Sequence, residues 1–243
     1  MKKTSTDNIY QSPQPASPFK FDARVAAVFP DMIQRSVPGY DTIIEGIQSL
    51  SQRFVKANTH CYDLGCSLGA ASLAMSRGIQ ADGCKVIGVD NSPSMIERSQ
   101  LFIDAYRHHT PVELVCGDLQ EIPLTNASMV VLNFTLQFIS VDNRDAIIKK
   151  IVDGLNPGGV LILSEKIKAS DDAIDNTLID LHHDFKRANG YSELEISQKR
   201  NALENVLLPE TIETHSERLL GMGFKSVDVW FKHFNFCSMM AFK

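Results

Sequence analysis

Five short apolar runs, at 60–64, 85–90, 112–117, 129–134 and 160–165, alternate with segments of helical spacing. This alternation most constrains the fold. Strands that are apolar throughout and separated by helices belong to a parallel sheet covered on both faces. Ile147, Ile148, Ile151, Val152 and Leu155 form one helical stripe before the fifth run, and Asn156-Pro157-Gly158-Gly159 turns the chain into it. An earlier helix carries Ile43, Ile47, Leu50 and Phe54 on one face, with Asp41 placed to cap it after the turn Val37-Pro38-Gly39-Tyr40.

The pattern changes after Glu165. Residues 171–208 read as a helical insert, with Ile174, Leu178, Leu181 and Phe185 on one stripe and a capping box of Ser192 with Glu195. A helix near 210–220 and two strand-like runs, 225–233 and 235–242, close the chain. Residues 1–20 are rich in Ser, Pro, Thr and Gln and read as a flexible tail. Residues 21–243 are therefore expected to form a single α/β domain, with the insert at about 171–208.

Composition narrows the function. The net charge of −5 argues against a surface built for direct nucleic-acid binding. The five cysteines form no Cys-x-x-Cys pair and suggest a reducing, cytoplasmic setting. The longest apolar stretch, 129–139, is interrupted by Asn133 and Gln137, so no membrane span is expected. No metal site is expected either.

The turn Asp63-Leu64-Gly65-Cys66-Ser67-Leu68-Gly69 after the first run, with Asp90 ending the second, indicates a nucleoside-bearing ligand. Gly65-x-Ser67-x-Gly69 also fits a serine-hydrolase elbow, but no later acid and histidine stand in a fitting context. Ser67 occupies the place of the second glycine of a dinucleotide fingerprint, which suits a ligand without phosphates. S-adenosylmethionine is such a ligand. Its ribose diol needs an acceptor carboxylate, which Asp90 offers. Gly65, Asp90, Asp118 and Asn133 fall at four successive strand ends, where open α/β sheets bind ligands. The layout over about residues 40–243 resembles the class I S-adenosylmethionine-dependent methyltransferase fold: Rossmann-like α/β, a mostly parallel seven-stranded sheet and a C-terminal antiparallel hairpin.

No Asn/Asp-Pro-Pro-Tyr/Phe motif and no Pro-Cys nucleophile is present to mark amino or base C5 methylation. In the insert, Arg200 shares an inward stripe with Ile196, Leu203 and Leu207. It either pairs with Glu204, snorkels outward or meets a ligand. Arg187, Tyr191 and Lys199 lie near it, and together they suggest an anionic small substrate. His182 and His183 are candidate bases, although a polar helix face accounts for them more simply.

Four runs carry a closer resemblance: residues 28–40 (Val-Phe-Pro-Asp-Met-Ile-Gln-Arg-Ser-Val-Pro-Gly-Tyr), 131–138 (Val-Leu-Asn-Phe-Thr-Leu-Gln-Phe), 185–194 (Phe-Lys-Arg-Ala-Asn-Gly-Tyr-Ser-Glu-Leu) and 197–200 (Ser-Gln-Lys-Arg). They resemble the bacterial carboxy-S-adenosyl-L-methionine synthase family. That resemblance implies conversion of S-adenosylmethionine, as substrate, and prephenate to carboxy-S-adenosylmethionine and phenylpyruvate. The product would serve a downstream enzyme that modifies the wobble uridine of tRNA. The resemblance also implies a homodimer, with Tyr40, Gly65, Cys66, Ser67, Asp90, Asn91, Asp118, Leu119, Asn133 and Arg200 as cofactor-contacting positions. In a physical mechanism for that reaction, Arg200 would hold the new carboxylate. Two other functions fit the residues: a methyltransferase for a small molecule or RNA, and a non-catalytic binding partner of a tRNA-modifying enzyme.

Overall fold

The computed structural model describes residues 6–15, 17–106 and 109–243. Seven strands form one sheet: β1 (His60–Leu64), β2 (Lys85–Asp90), β3 (Val112–Cys116), β4 (Ala127–Asn133), β5 (Leu155–Lys166), β6 (Ser226–His233) and β7 (Phe236–Phe242). Their order is β3-β2-β1-β4-β5-β7-β6. The first five pair in parallel, and β7 runs antiparallel to both β5 and β6. The helices are α1 (Ala23–Ser36), α2 (Tyr40–Phe54), α3 (Ala70–Gly78), α4 (Pro93–Asp104), α5 (Val141–Gly154), α6 (Asp172–Ala188), α7 (Glu193–Leu203) and α8 (Ile212–Met222). The sequence places every strand to within a few residues. The main difference is β5, which starts at Leu155 because Leu155 pairs with Ala127 before the Pro157-Gly158 turn.

The inner strands β1, β2, β4 and β5 bury both faces, which explains their unbroken apolar runs, whereas no residue of the edge strands β3 and β6 is fully buried. On β4, Val130 and Leu132 pack with Tyr62, Leu161 and the Ile147–Ile148–Ile151 stripe of α5. Met129 and Val131 point the other way, to Ile43, Ile47 and Met75 of α2 and α3. Fully burying one such aliphatic side chain is worth about 1.5–3 kcal/mol.

Three local expectations are corrected. Gly39, at φ 73°, takes the N-cap of α2, so the helix starts at Tyr40. Asp41 thus lies in the first turn, where its charge meets the helix N-terminus instead of capping it. On α6 the apolar stripe does not face the core: Ile174 is 56% exposed and Leu181 38%. The buried residues of α6 are His182 and Lys186, because this helix roofs a cavity instead of packing on the sheet. On α7 the capping box is present, Ser192 N–H donating to Glu195 Oε2 at 2.8 Å and Glu195 N–H to Ser192 Oγ at 3.3 Å. The helix ends at Leu203, however. It buries Ile196 and Lys199, whereas Arg200 is exposed.

The segment read as a flexible tail carries anchored residues. Residues 1–5 and 16 lie outside the described residues. Asp7 is only 2% exposed; its N–H donates to Asp31 Oδ2 at 2.7 Å, and its carboxylate accepts from the Tyr191 hydroxyl. Gln198 donates to the carbonyls of Tyr10 (2.9 Å) and Ser12 (3.0 Å) and accepts from Gln14 N–H (2.9 Å). The polar composition that suggests mobility supplies the groups that tie this segment to α1 and α7. Among the described residues, no helix is long and apolar enough to cross a membrane.

Candidate active site

A cavity of about 810 Å³ opens at the carboxyl ends of β1, β2, β4 and β5, beneath α1, α6 and α7. All ten positions singled out from the sequence line it. The turn after β1 sets its floor. Gly65 (φ 80°) is left-handed, and a Cβ there would lie 2.3 Å from Thr135 Oγ1, so only glycine fits. Gly65 and Cys66 donate their N–H groups to Val89 O at 2.8 and 2.9 Å, fixing the turn to β2. Burial pushes the Cys66 thiol well up, so it is no thiolate nucleophile.

Asp90 stands at the centre of this side. Its Oδ2 accepts Ser67 N–H and its Oδ1 accepts Ser92 N–H, both at 2.8 Å. The amides orient the carboxylate, and each oxygen keeps a second lone pair for a ligand hydroxyl. Burial raises the Asp90 carboxyl pKa, and the two amide bonds counter it. Ser67 is itself left-handed (φ 50°). Its hydroxyl donates to the Met95 sulfur at 3.5 Å and makes no hydrogen bond to a histidine among the described residues. The base that an esterase serine needs is therefore not in place.

Asp118 lies further out, past β3, and its Oδ1 accepts Gln120 N–H at 2.8 Å. Lys150 Nζ pins this loop through Leu119 O and Gln120 O, both at 2.9 Å. Asn91 sits exposed at the rim. Two buried acceptors inside, Asp63 Oδ1 and Asn133 Oδ1, have no donor from the described residues. Unsatisfied buried acceptors are rare in folded proteins, and here they flank a space shaped for a ligand. Burial pushes the Asp63 carboxyl up to about 6, with Ser72 Oγ donating to its other oxygen at 2.6 Å. Tyr40 stacks on Phe134 with ring centres 6.3 Å apart, and burial raises its phenol pKa. Glu165 accepts Leu136 N–H (2.9 Å) and Gln137 N–H (2.8 Å), which shapes the loop after β4. Burial lifts its pKa to about 8.

The opposite wall is cationic. Lys166 ends β5, Lys186 lies on α6, and Lys199 and Arg200 lie on α7; all four line the cavity. Burial lowers Lys166, pushes Lys186 down to about 7 and Lys199 down to about 8. Lys199 donates to Ser36 Oγ at 2.9 Å and stands 3.9 Å from the Asp7 carboxylate. The Arg200 side chain makes no hydrogen bond or ion pair among the described residues; Glu204 meets it only through its backbone N–H, which donates to Arg200 O at 3.0 Å, so the side-chain pairing is not formed. Arg187 is turned outward, paired with Asp184 and Glu193, and Tyr191 is engaged with Asp7; neither lines the cavity.

His182 is also corrected. It lies buried beneath the wall rather than on a polar face, bonded through Nε2 to Ser36 O at 2.8 Å. A carbonyl accepts only, so Nε2 carries the proton. Burial pushes its pKa down to about 2, and the imidazole is neutral. Lys166 and Lys186 were not singled out from the sequence. The available signal was the spacing of Lys186 one helical turn after His182.

The strand order, the reversed C-terminal hairpin and a crevice at the strand ends define a class I S-adenosylmethionine-dependent methyltransferase fold. Residues 62–159 match the family described as "Methyltransferase domain". A solved structure titled as a putative S-adenosyl-L-methionine-dependent methyltransferase, from Methanococcus maripaludis, superposes with a TM-score of 0.58 at 23% identity, covering 94% of this chain and 96% of that one. That likeness speaks to the fold. Much nearer in sequence is the carboxy-S-adenosyl-L-methionine synthase of Vibrio parahaemolyticus, 58% identical over 99% of both chains. The protein of the same name from Photobacterium profundum is 57% identical over the full length of both. The chain belongs to the carboxy-S-adenosyl-L-methionine synthase family and is an enzyme.

Proposed function

We propose that the protein converts S-adenosylmethionine and prephenate to carboxy-S-adenosylmethionine and phenylpyruvate, and so supplies the modification of a tRNA wobble uridine. The observation that carries this reading is the polarity of the cavity: carboxylate and carbonyl acceptors on the β1–β4 side, and the cations Lys166, Lys186, Lys199 and Arg200 on the β5–α6–α7 side. In this reading Asp90 takes the ribose hydroxyls and the Asp118–Leu119 loop borders the adenine. Gly65, Cys66 and Ser67 lie under the methionine portion, whose ammonium finds Asp63 and Asn133 as acceptors. Tyr40 and Asn91 close the rim, and Arg200 holds the new carboxylate.

Prephenate loses carbon dioxide and its ring hydroxyl as the ring becomes aromatic. The departing hydroxide takes a proton from the sulfonium methyl, leaving as water, and the carbon dioxide is captured at that carbon. No protein base is required. This suits a site whose buried histidine, His182, is made a weak base by burial. The chain's part is to hold both molecules and keep bulk water out. We further propose that the enzyme works as a homodimer. The outward apolar side chains Ile174 and Leu181 of α6 and Leu194 of α7 support this.

The test is to incubate the protein with both substrates and follow products by mass spectrometry. A species carrying an added carboxylate, formed together with phenylpyruvate, is expected. Absence of that species from protein shown to bind S-adenosylmethionine overturns the reading. S-adenosylhomocysteine accumulating with an acceptor and without prephenate points to an ordinary methyltransferase instead.

A further inference from the structure

Lys186 is 7% exposed and lines the cavity, yet its side-chain ammonium makes no hydrogen bond and no ion pair among the described residues. Its ionisable neighbours deepen the anomaly. Lys199 on α7 and Lys166 on β5 both repel its charge. His182, one turn away, is neutral, and the next side chain, His183, feels the same cations. The nearby acids are committed elsewhere. Asp7 faces Lys199 at 3.9 Å, Asp175 acts on Lys166, and Glu165 is capped by two amides. A buried ammonium without a counter-charge is among the most costly arrangements in a protein interior. It arises here in a chain of net charge −5, so it does not follow from bulk composition. Such a group is stabilised when an anion enters the cavity it lines.

The position in the sheet says which anion. β2 and β5 are separated by β1 and β4, so three inter-strand spacings, about 14 Å, lie between Asp90 and Lys166. The nucleoside belongs at the Asp90 end, and the reacting carbon therefore lies over β1 and β4. The second substrate is left with the β5–α6 end. Of its two carboxylates, one departs as carbon dioxide and must face the reacting carbon. A seat that gripped this group would oppose its loss. The carboxylate that survives is the one free to be held at the far end.

We propose that Lys186, assisted by Lys166, is the seat for the surviving 2-oxo carboxylate of the second substrate. This rests on the prephenate reading above. Arg200, on the exposed side of α7, is left to the new carboxylate once it has formed on the sulfonium carbon.

Phenylpyruvate retains the surviving carboxylate and lacks the other, so it probes this seat alone. Titrated by calorimetry into protein loaded with S-adenosylhomocysteine, it is expected to bind the wild type and to bind Lys186→Met at least tenfold more weakly. Lys186→Arg should recover part of the loss, and Lys166→Gln should show a smaller one. Affinity for S-adenosylhomocysteine should stay within twofold. The melting temperature of Lys186→Met should be unchanged or higher, since a buried unpaired charge is removed. Equal binding by wild type and Lys186→Met, or no binding by wild type at millimolar phenylpyruvate, overturns the seat. So does a variant that melts several degrees lower and loses S-adenosylhomocysteine as well, which would mark Lys186 as structural. Wild-type turnover of prephenate is measured separately. Turnover with unchanged phenylpyruvate binding in Lys186→Met removes the seat and spares the reaction. Lack of turnover with Lys186-dependent phenylpyruvate binding does the reverse.

Discussion

The acceptor side of the cavity and its cationic wall house their charges in opposite ways. Asp90 meets two backbone amides at 2.8 Å before any ligand arrives. Lys186 meets no counter-charge among the described residues. The acids sit at strand ends, where the rigid sheet fixes them; the cations sit mainly on α6 and α7, two helices beyond the sheet's parallel core. The lesson is a division of labour. One side is preorganised and binds at little cost in rearrangement, whereas the other stores unfavourable charge that its ligand relieves.

If the two sides are separate seats, substitutions on them should have separate effects. The largest is expected for Asp90→Ala, which removes two ligand hydrogen bonds to a carboxylate, each worth about 1.5–3 kcal/mol. Calorimetry should show S-adenosylmethionine affinity falling on the order of 100-fold or more, while phenylpyruvate remains able to bind. Arg200→Ala comes next. It should release carboxy-S-adenosylmethionine roughly ten to a hundred times more readily, on the same energy scale for one charged contact, and leave S-adenosylmethionine within twofold. An equal loss of both ligands would merge the two seats into one.

Asp63→Asn sharpens the contrast from the acid side. Its folded pKa, about 6, lies above the ordinary aspartate value of 3.8. The fold thus favours the protonated form. The Asp63 contribution to stability is full at low pH, declines as pH rises from about 4 through about 6, and is then flat. Asparagine mimics the protonated form and keeps an acceptor for Ser72. The variant should match wild type near pH 4 and gain on the order of 2 kcal/mol above pH 7, or about 4–8 °C in melting temperature. A variant no more stable at pH 8 than at pH 4, relative to wild type, would contradict this. The smallest effect is the coupling between Asp90→Ala and Lys186→Met in a double-mutant cycle on stability. Sites this far apart should add to within about 0.5 kcal/mol, and a larger coupling would show the two sides acting as one unit.

Much of the acceptor side is legible in the sequence because it is local. A glycine turn and an acid at the end of the next strand are both adjacent to strongly apolar runs, and Gly65, Asp90, Asp118 and Asn133 fall out in order. The cationic wall is not local. Lys186 looks like any solvated lysine until α6 is seen to turn Ile174 and Leu181 outward, against the amphipathic rule that places the apolar stripe inside. Arg200 is legible as unusual but not as exposed, because α7 stops at Leu203 and ends the stripe early. Asp7 hides within a Ser- and Pro-rich stretch. Its partner Tyr191 lies 184 positions away, beyond the reach of any pattern in a window.

That separation has a consequence for how the enzyme is made. During synthesis the β1–β4 crevice, with Gly65, Asp90, Asp118 and Asn133, has emerged well before α7. Residues 7–14, made earlier still, wait for later ones: Tyr10, Ser12 and Gln14 meet Gln198, and Asp7 meets Tyr191 and Lys199. A nascent chain stalled after β5 would carry the whole nucleoside half of the cavity and no Arg200. The roof of the site joins residues 184 to 188 positions apart, and the cavity closes only after α7 has been made.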